Sequence, residues 1–290
     1  MIALLHGVTE FSWTQWPIHP STAIGCALVL GAYYMGIGPL RRKYQWADRV
    51  ETWQPICFTT AILILFGALN GPLHELSDLF LFSAHMVQHL IMTLIMAPLM
   101  LVGVPDWLWR ALIRNTVGFG AARVLTSPLV AFAIYNIVFA GWHFPMFYNW
   151  ALEDHNVHIV QHIMFIIAAM FMWWPVVEPL PELSRLITPM RMVYLFAISI
   201  PMSLISALIT LSEEILYTWY GDAERIFNLS VLEDQQLGGL IMWVPGALIF
   251  WVAISILFYR WAKAANREEE VARELLRRER TNSDQLTATS

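Results

Sequence analysis

Seven apolar stretches limit what this chain can become; they lie at roughly 22–40, 53–70, 82–104, 127–148, 157–178, 188–212 and 238–261. Each holds about 18 to 25 residues, which at about 1.5 Å rise per residue crosses a hydrocarbon layer about 30 Å thick. Lipid offers the backbone no hydrogen-bond partners, so a spanning segment must be a helix or a strand of a closed barrel. Barrel strands are short and alternate in polarity, and these stretches are neither. The sequence therefore predicts an all-α integral membrane protein, a seven-helix transmembrane bundle. Of the 290 residues 58% are hydrophobic and 13% charged, too apolar for one water-soluble core. Segments outside the spans reach only about 25 residues internally and about 29 at the C-terminus, against about 100 for an ordinary domain. Any chemistry must then sit in the bundle or at its rims. Three regions result: an interfacial lead at 1–21, a membrane domain at 22–261 and a charged tail at 262–290.

Loop charge orients the bundle. Assigned alternately, the loops place sixteen of the seventeen lysines and arginines on one side and leave Arg225 on the other. By the positive-inside rule the basic side is cytoplasmic, so the N-terminus is outside and the C-terminus cytoplasmic. The acids divide eleven and eleven, which leaves the outer segments at −10 and the inner ones at +5. Such an outer face favours cations or a basic partner, although part of the asymmetry is the topology rule itself. The basic inner loops are explained by orientation, and no phosphate loop or nucleic-acid patch is present, so no nucleic-acid partner is expected.

The first twenty residues contain no Lys or Arg and are interrupted by Glu10, Pro17 and Pro20, unlike a cleaved signal. Trp13 and Trp16 suit the headgroup region, so this segment reads as an interfacial lead on the extracytoplasmic side. Cys26 and Cys57 belong to opposite ends of neighbouring spans, about 15 Å or more apart, which predicts no disulfide. The tail from Ala262 to about Arg280 should continue the last helix into the cytoplasm before a polar, disordered end.

All nine histidines fall in the outer half. Four of them form two copies of one motif, His85-Met86-Val87-Gln88-His89 and His158-Ile159-Val160-Gln161-His162. Residues four apart share a helix face, so each pair can chelate. Both spans run from outside to inside with the pairs in their first turns, so the four rings should lie at one depth. The positive N-terminal end of a helix favours the neutral, ligating form of imidazole. A lone histidine on an apolar face is usually satisfied packing; two matched pairs at one level point to a membrane metal site.

Other residues gather around this layer. Trp142-His143-Phe144-Pro145 closes the fourth span and sets His143 near the same height. His155 could share the face of His158 or be a solvated loop residue. Asp234 enters the seventh span, where its carboxylate could ligate a metal, orient an imidazole or cap a helix start. Gln88 and Gln161 could fix ring orientation or bond to a neighbouring helix. Met92 and Met96 continue the first stripe and could relay Cu(I), or pack as ordinary methionines. Pro98, Pro175, Pro201 and Pro245 should kink their spans. All-nitrogen ligation suits copper, zinc or iron, and the extracytoplasmic position favours copper.

Together His85-Met-Val-Gln-His89, Trp142-His-Phe-Pro145, Val157-His-Ile-Val-Gln-His162 and Asp234-Gln-Gln-Leu-Gly-Gly-Leu-Ile-Met-Trp-Val-Pro-Gly246 resemble the multi-span CtaG-type cytochrome c oxidase assembly factors. The resemblance runs from about the second span to the seventh and omits the lead and the tail. It implies a bacterial plasma-membrane helper that matures a haem–copper terminal oxidase rather than a catalyst. Its implied partners are the lipid bilayer, haem–copper oxidase subunits and an extracytoplasmic copper chaperone. Carried over, the metal ligands would be His85, His89, His158 and His162, with His143 and Asp234 in second rank.

Two other classes compete. A membrane metalloenzyme, zinc or di-iron, would attack lipid with a metal-bound water or oxygen species and use Asp234 or Glu153 as base. The absence of an adjacent His-His pair and the outer placement argue against it. A cation channel would need polar groups continuing inward; Asn136, Ser199, Ser203 and Ser206 are the polar mid-span candidates past the histidine layer, each able simply to bond between helices, and they trace no continuous route.

Overall fold

The computed structural model describes residues 11–288 apart from Arg114 and Ser184, with side chains described as far as Arg278. His6, Glu10 and the rest of the first ten residues of the expected lead lie outside the described residues. Among the described residues there are helices and no strands. They are α1 Pro20–Tyr44, α2 Trp53–Ala68, α3 Pro72–Phe80, α4 Phe82–Gly103, α5 Asp106–Leu112, α6 Thr116–Leu125, α7 Pro128–His143, α8 Pro145–Glu153, α9 His155–Val177, α10 Thr188–Thr210 and α11 Val231–Ala288.

Five helices, α1, α4, α9, α10 and α11, are long and apolar enough to cross a membrane alone. The number reaches seven if two bent pairs each count as one span, α2 with α3 at 47° and α6 with α7 at 68°. The outward faces are apolar, with Leu28 68%, Leu204 61% and Trp251 54% exposed, as expected of surfaces that meet lipid rather than water.

Three boundaries differ from the sequence reading. The fourth stretch does not run to residue 148 as one helix. Pro145 has no N–H to continue the ladder and holds Phe144 extended (φ −65°, ψ 130°), so α7 ends at His143 and α8 starts afresh. The segment after α2, expected only as a connection, continues at a 47° bend as α3 and buries His74, Glu75 and Asp78. At the other end, α11 continues to Ala288 instead of giving way to disorder after Arg280. No Gly or Pro follows Gly246 to stop it, and Glu269–Arg273 and Glu274–Arg278 pair one turn apart on its polar stretch.

The core is built around α4 and α9, the most enclosed spans. Phe82, Met86 and Leu90 of α4 join Phe165 and Met172 of α9, Met202 of α10 and Met242 of α11 in the main apolar cluster. α4 and α10 both pack on α11. Backbone approaches closely there: a Cβ on Gly238 would stand 2.3 Å from a ring carbon of Phe82, and one on Gly239 2.7 Å from the backbone nitrogen of Thr210. Side chains at these two positions would wedge the helices apart.

Just past the first histidine pair, Ile91–Met96 is a π-helical stretch, directly before Ala97 and Pro98. A wider turn rotates whatever follows, so the stripe expected to link Met92 and Met96 to His85 is not continued in α-helical register. Both methionines are wholly buried, clustered with Ala61 and Ala68 of α2. Two carbonyls of this region take side-chain donors. Thr93 Oγ1 donates to the carbonyl of His89 (2.7 Å), and Trp173 Nε1 donates to the carbonyl of Thr93 (2.9 Å).

Candidate metal centre

The two histidine pairs meet in the bundle interior. α4 begins at Phe82 because Leu81 is extended, and α9 begins at His155 because Asp154 accepts hydrogen bonds from the backbone of Asn156 and Val157. These starts put His85 and His89 on the turns of α4 that face His158 and His162 of α9. Ring centroids lie 5.4 Å apart for His85 and His158, 5.9 Å for His85 and His162, and 5.6 Å for His89 and His162. All four residues are buried.

One nitrogen from each of His85, His158 and His162 falls within 4.8 Å of the other two, a spacing that a metal ion could draw together. The Nε2 atoms of His85 and His89 are 2.9 Å apart. His89 touches His85 but stands outside that group of three.

Several of these rings are anchored through Nδ1. His143 Nδ1 donates to the carbonyl of Phe139 at 2.7 Å. His158 Nδ1 faces Asp78 Oδ2 at 3.4 Å, and His85 Nδ1 lies 3.3 Å from the hydroxyl of Tyr220. The Nε2 atoms of His143, His158 and His162, and Nδ1 of His89, are buried without a hydrogen-bond partner. A ring that donates one N–H to a carboxylate or carbonyl and holds the other nitrogen as a bare lone pair has the arrangement of a metal ligand.

Asp78 was not picked out by sequence. It accepts from Ser77 Oγ (2.9 Å) and faces His74 Nε2 and His158 Nδ1, each at 3.4 Å. Gln88 supplies the other end of this chain. Its amide donates to the carbonyl of Ala68 on α2 (2.6 Å) and to His74 Nδ1 (3.2 Å), so it both bonds a neighbouring helix and orients a ring. Gln161 is buried with neither amide atom partnered.

The chain matches a known family over most of its length. The model of the family described as "Cytochrome c oxidase caa3 assembly factor (Caa3_CtaG)" covers residues 31–264. The chain belongs to this assembly factor family. Curated relatives include uncharacterized proteins of Mycobacterium bovis and Mycobacterium tuberculosis, each 25% identical over 277 residues that cover 86% of this chain and 40% of the relative. A Mycobacterium leprae protein is 23% identical, over 83% of this chain and 38% of its own. The chain thus spans about two fifths of the length of the curated relatives it matches. No solved structure matches it.

In this member of the caa3 assembly factor family the Asp-Gln-Gln motif takes up scaffold positions. Asp234, fully buried, accepts from the backbone nitrogens of Phe82 (2.7 Å) and Ser83 (3.1 Å) and from Ser83 Oγ (2.5 Å). It caps a helix start, as one sequence alternative had it, but the start is that of α4, far away in the chain. Its two oxygens are engaged there, and it is absent from the group of residues within reach of one ion. Gln235 accepts from the backbone of Leu216 and Tyr217, and Gln236 donates to the carbonyl of Ser212. These bonds hold the connection between α10 and α11 over the site. Tyr217 Oη donates to the carbonyl of His143 (2.9 Å), and Tyr220 Oη donates to the carbonyl of Ser77 (2.6 Å). Burial pushes the Tyr220 phenol well above its usual range, so it remains a hydroxyl at any working pH.

His155 is exposed at the first turn of α9, three residues from His158. His143 lies beside the group, its ring centroid 6.3 Å from that of His89. Only proximity could have revealed Asp78, His74 and Tyr220. None of them lies in a repeated motif, and the last is more than 130 residues from His85 in sequence.

Proposed function

We propose that this chain assists assembly of a haem–copper cytochrome c oxidase by holding copper as cargo at His85, His89, His158 and His162, with His143 beside them. Family membership supports the assembly role. The carrying observation for the metal is the approach of His85 on α4 to His158 and His162 on α9, where Nε2 of His158 and of His162 is buried without a hydrogen-bond partner; His89 lies against His85. Imidazole ligands admit zinc and iron as well. Charge favours Cu(I). Neutral rings bring no charge, so a single carboxylate in contact with them, Asp78, offsets one positive charge, whereas a divalent ion would leave a buried excess.

In this proposal the N-terminus is extracytoplasmic and the C-terminus cytoplasmic, in the plasma membrane of a bacterium. The site then faces the side from which an extracytoplasmic chaperone would deliver copper, and oxidase subunits receive it within the bilayer. The role is that of a carrier, not a catalyst. A lipid-directed metalloenzyme would need a base at the metal, and its two candidates are occupied or remote: Asp234 is bound into the cap of α4, and Glu153 is exposed.

Two measurements test the proposal. Purified protein loaded with Cu(I) is expected to retain copper, and the double changes His85→Ala with His89→Ala, or His158→Ala with His162→Ala, to abolish retention; unchanged stoichiometry removes the site. Deletion of the gene in its host is expected to lower the haem–copper oxidase signal in membrane spectra. Normal oxidase with altered lipids would turn the assignment to the enzyme reading.

A further inference from the structure

A cavity of about 240 Å³ opens beside the histidine group, between the start of α1, the end of α2 and the start of α9. Five of its lining residues are histidines: His19, His74, His155, His158 and His162. Two of these, His158 and His162, belong to the proposed copper site, and each has its Nε2 buried without a hydrogen-bond partner. The other three form a graded series. His155 is exposed at the rim, His19 is half-buried, and His74 is buried at the inner end.

Consecutive rings in this series are close: centroids are 6.4 Å apart from His155 to His19, 4.6 Å from His19 to His74, and 6.3 Å from His74 to His158. A ring nitrogen lies about 1.2 Å from its centroid and about 2.0–2.1 Å from a bound ion, so one ion can bridge two imidazoles whose centroids are about 6.5 Å apart. Every step of the series falls inside that limit. The remaining wall is mostly apolar, with Leu65, Leu69, Ile159 and Ile163, and also carries Ser21, Thr22 and Cys26; the histidines are the series of ring nitrogens that runs from the rim to the site.

We infer that this cavity is the loading path of the metal site, along which Cu(I) passes from His155 through His19 and His74 to His158. The inference rests on the copper-site reading. Each transfer exchanges one imidazole nitrogen for the next on the same ion. Copper stays Cu(I), no electron moves, and each neutral ring keeps its proton on the nitrogen not in use; at His74 the ion displaces the Gln88 amide from Nδ1 while the proton stays on Nε2 toward Asp78. Asp78, which faces both His74 and His158, offsets the ionic charge at the inner step.

Gly25 lines the same cavity without belonging to the series, and a Cβ there meets nothing within 4 Å. Gly25→Phe should therefore plug the opening and leave the ligands in place. The test follows transfer of Cu(I) from its coloured bicinchoninate complex to detergent-purified protein, in rate and in final stoichiometry. Gly25→Phe is expected to load at least 10-fold more slowly than wild type and His155→Ala several-fold more slowly, both reaching wild-type stoichiometry. Wild-type rates in both variants would overturn the path, because the ion would then arrive elsewhere. If Gly25→Phe loses helical circular dichroism, His155→Ala, at an exposed position, decides alone. Wild-type protein that takes up no copper would instead sink the site reading, and the path with it.

Discussion

His85 and His89 meet Nε2 to Nε2 at 2.9 Å, and the hydroxyl of Tyr220 biases which of them carries the proton. Tyr220 has one proton and donates it to the carbonyl of Ser77. Its oxygen is left as an acceptor, shared between the Tyr148 hydroxyl (3.0 Å) and His85 Nδ1 (3.3 Å), which favours the His85 tautomer with its proton on Nδ1 and a bare Nε2. His89 then donates from Nε2 to His85. An ion at this point meets the bare Nε2 of His85; for His89 to ligate through its own Nε2, the proton must first move to its Nδ1, which has no hydrogen-bond partner.

Tyr220→Phe removes the acceptor for His85 Nδ1 and leaves the ring free to take the other tautomer. Copper affinity, measured by competition with a chelator, is expected to fall about 10-fold, within the range usual for partners that orient a ligand. An unchanged affinity would mean that the hydroxyl does not direct His85.

Asp78→Asn retains the shape of the side chain and removes its charge. A fall of about 10–100-fold in Cu(I) affinity is expected, with helical circular dichroism unaltered. The contribution is to be larger for a divalent probe such as Zn²⁺ in absolute terms, because the buried charge to be offset is greater.

Asp234→Ala separates scaffold from ligand. Loss of a buried cap that serves two backbone nitrogens and a hydroxyl should cost about 2 kcal/mol or more, read as a lower midpoint of thermal unfolding in detergent. Protein that remains folded is expected to bind copper at wild-type stoichiometry; a halved or absent signal would place Asp234 among the ligands.

Copper retention should weaken as pH falls. An imidazole binds metal only in its neutral form, so protons and Cu(I) compete for the same nitrogens, and each ring added to the ligand set steepens the loss. Chelator competition across a pH series measures the slope. A flat profile would exclude histidine ligation.

Much of this protein was legible in its residue order. Apolar length dictates spanning helices, because the bilayer leaves the backbone no other partner. The four-residue spacing in His85-Met-Val-Gln-His89 and in its second copy puts two rings on one helix face by geometry alone. What was hidden are the relations between distant segments. The apolar run through Trp142 and Phe144 masks the break at Pro145, and the polar segment around His74 and Asp78 has no periodicity to announce that α3 folds inward. Asp234 looks like a ligand in the sequence because a carboxylate at a helix start can do several things. Its task is decided by which backbone arrives beside it, and packing brings Phe82 and Ser83 there. Local order thus determines helices and the faces they carry, since those depend on neighbours three and four residues away. Which carboxylate and which phenol stand behind each imidazole depends on the contact of α4, α9 and α11 and the segments between them, and only the tertiary structure could settle that.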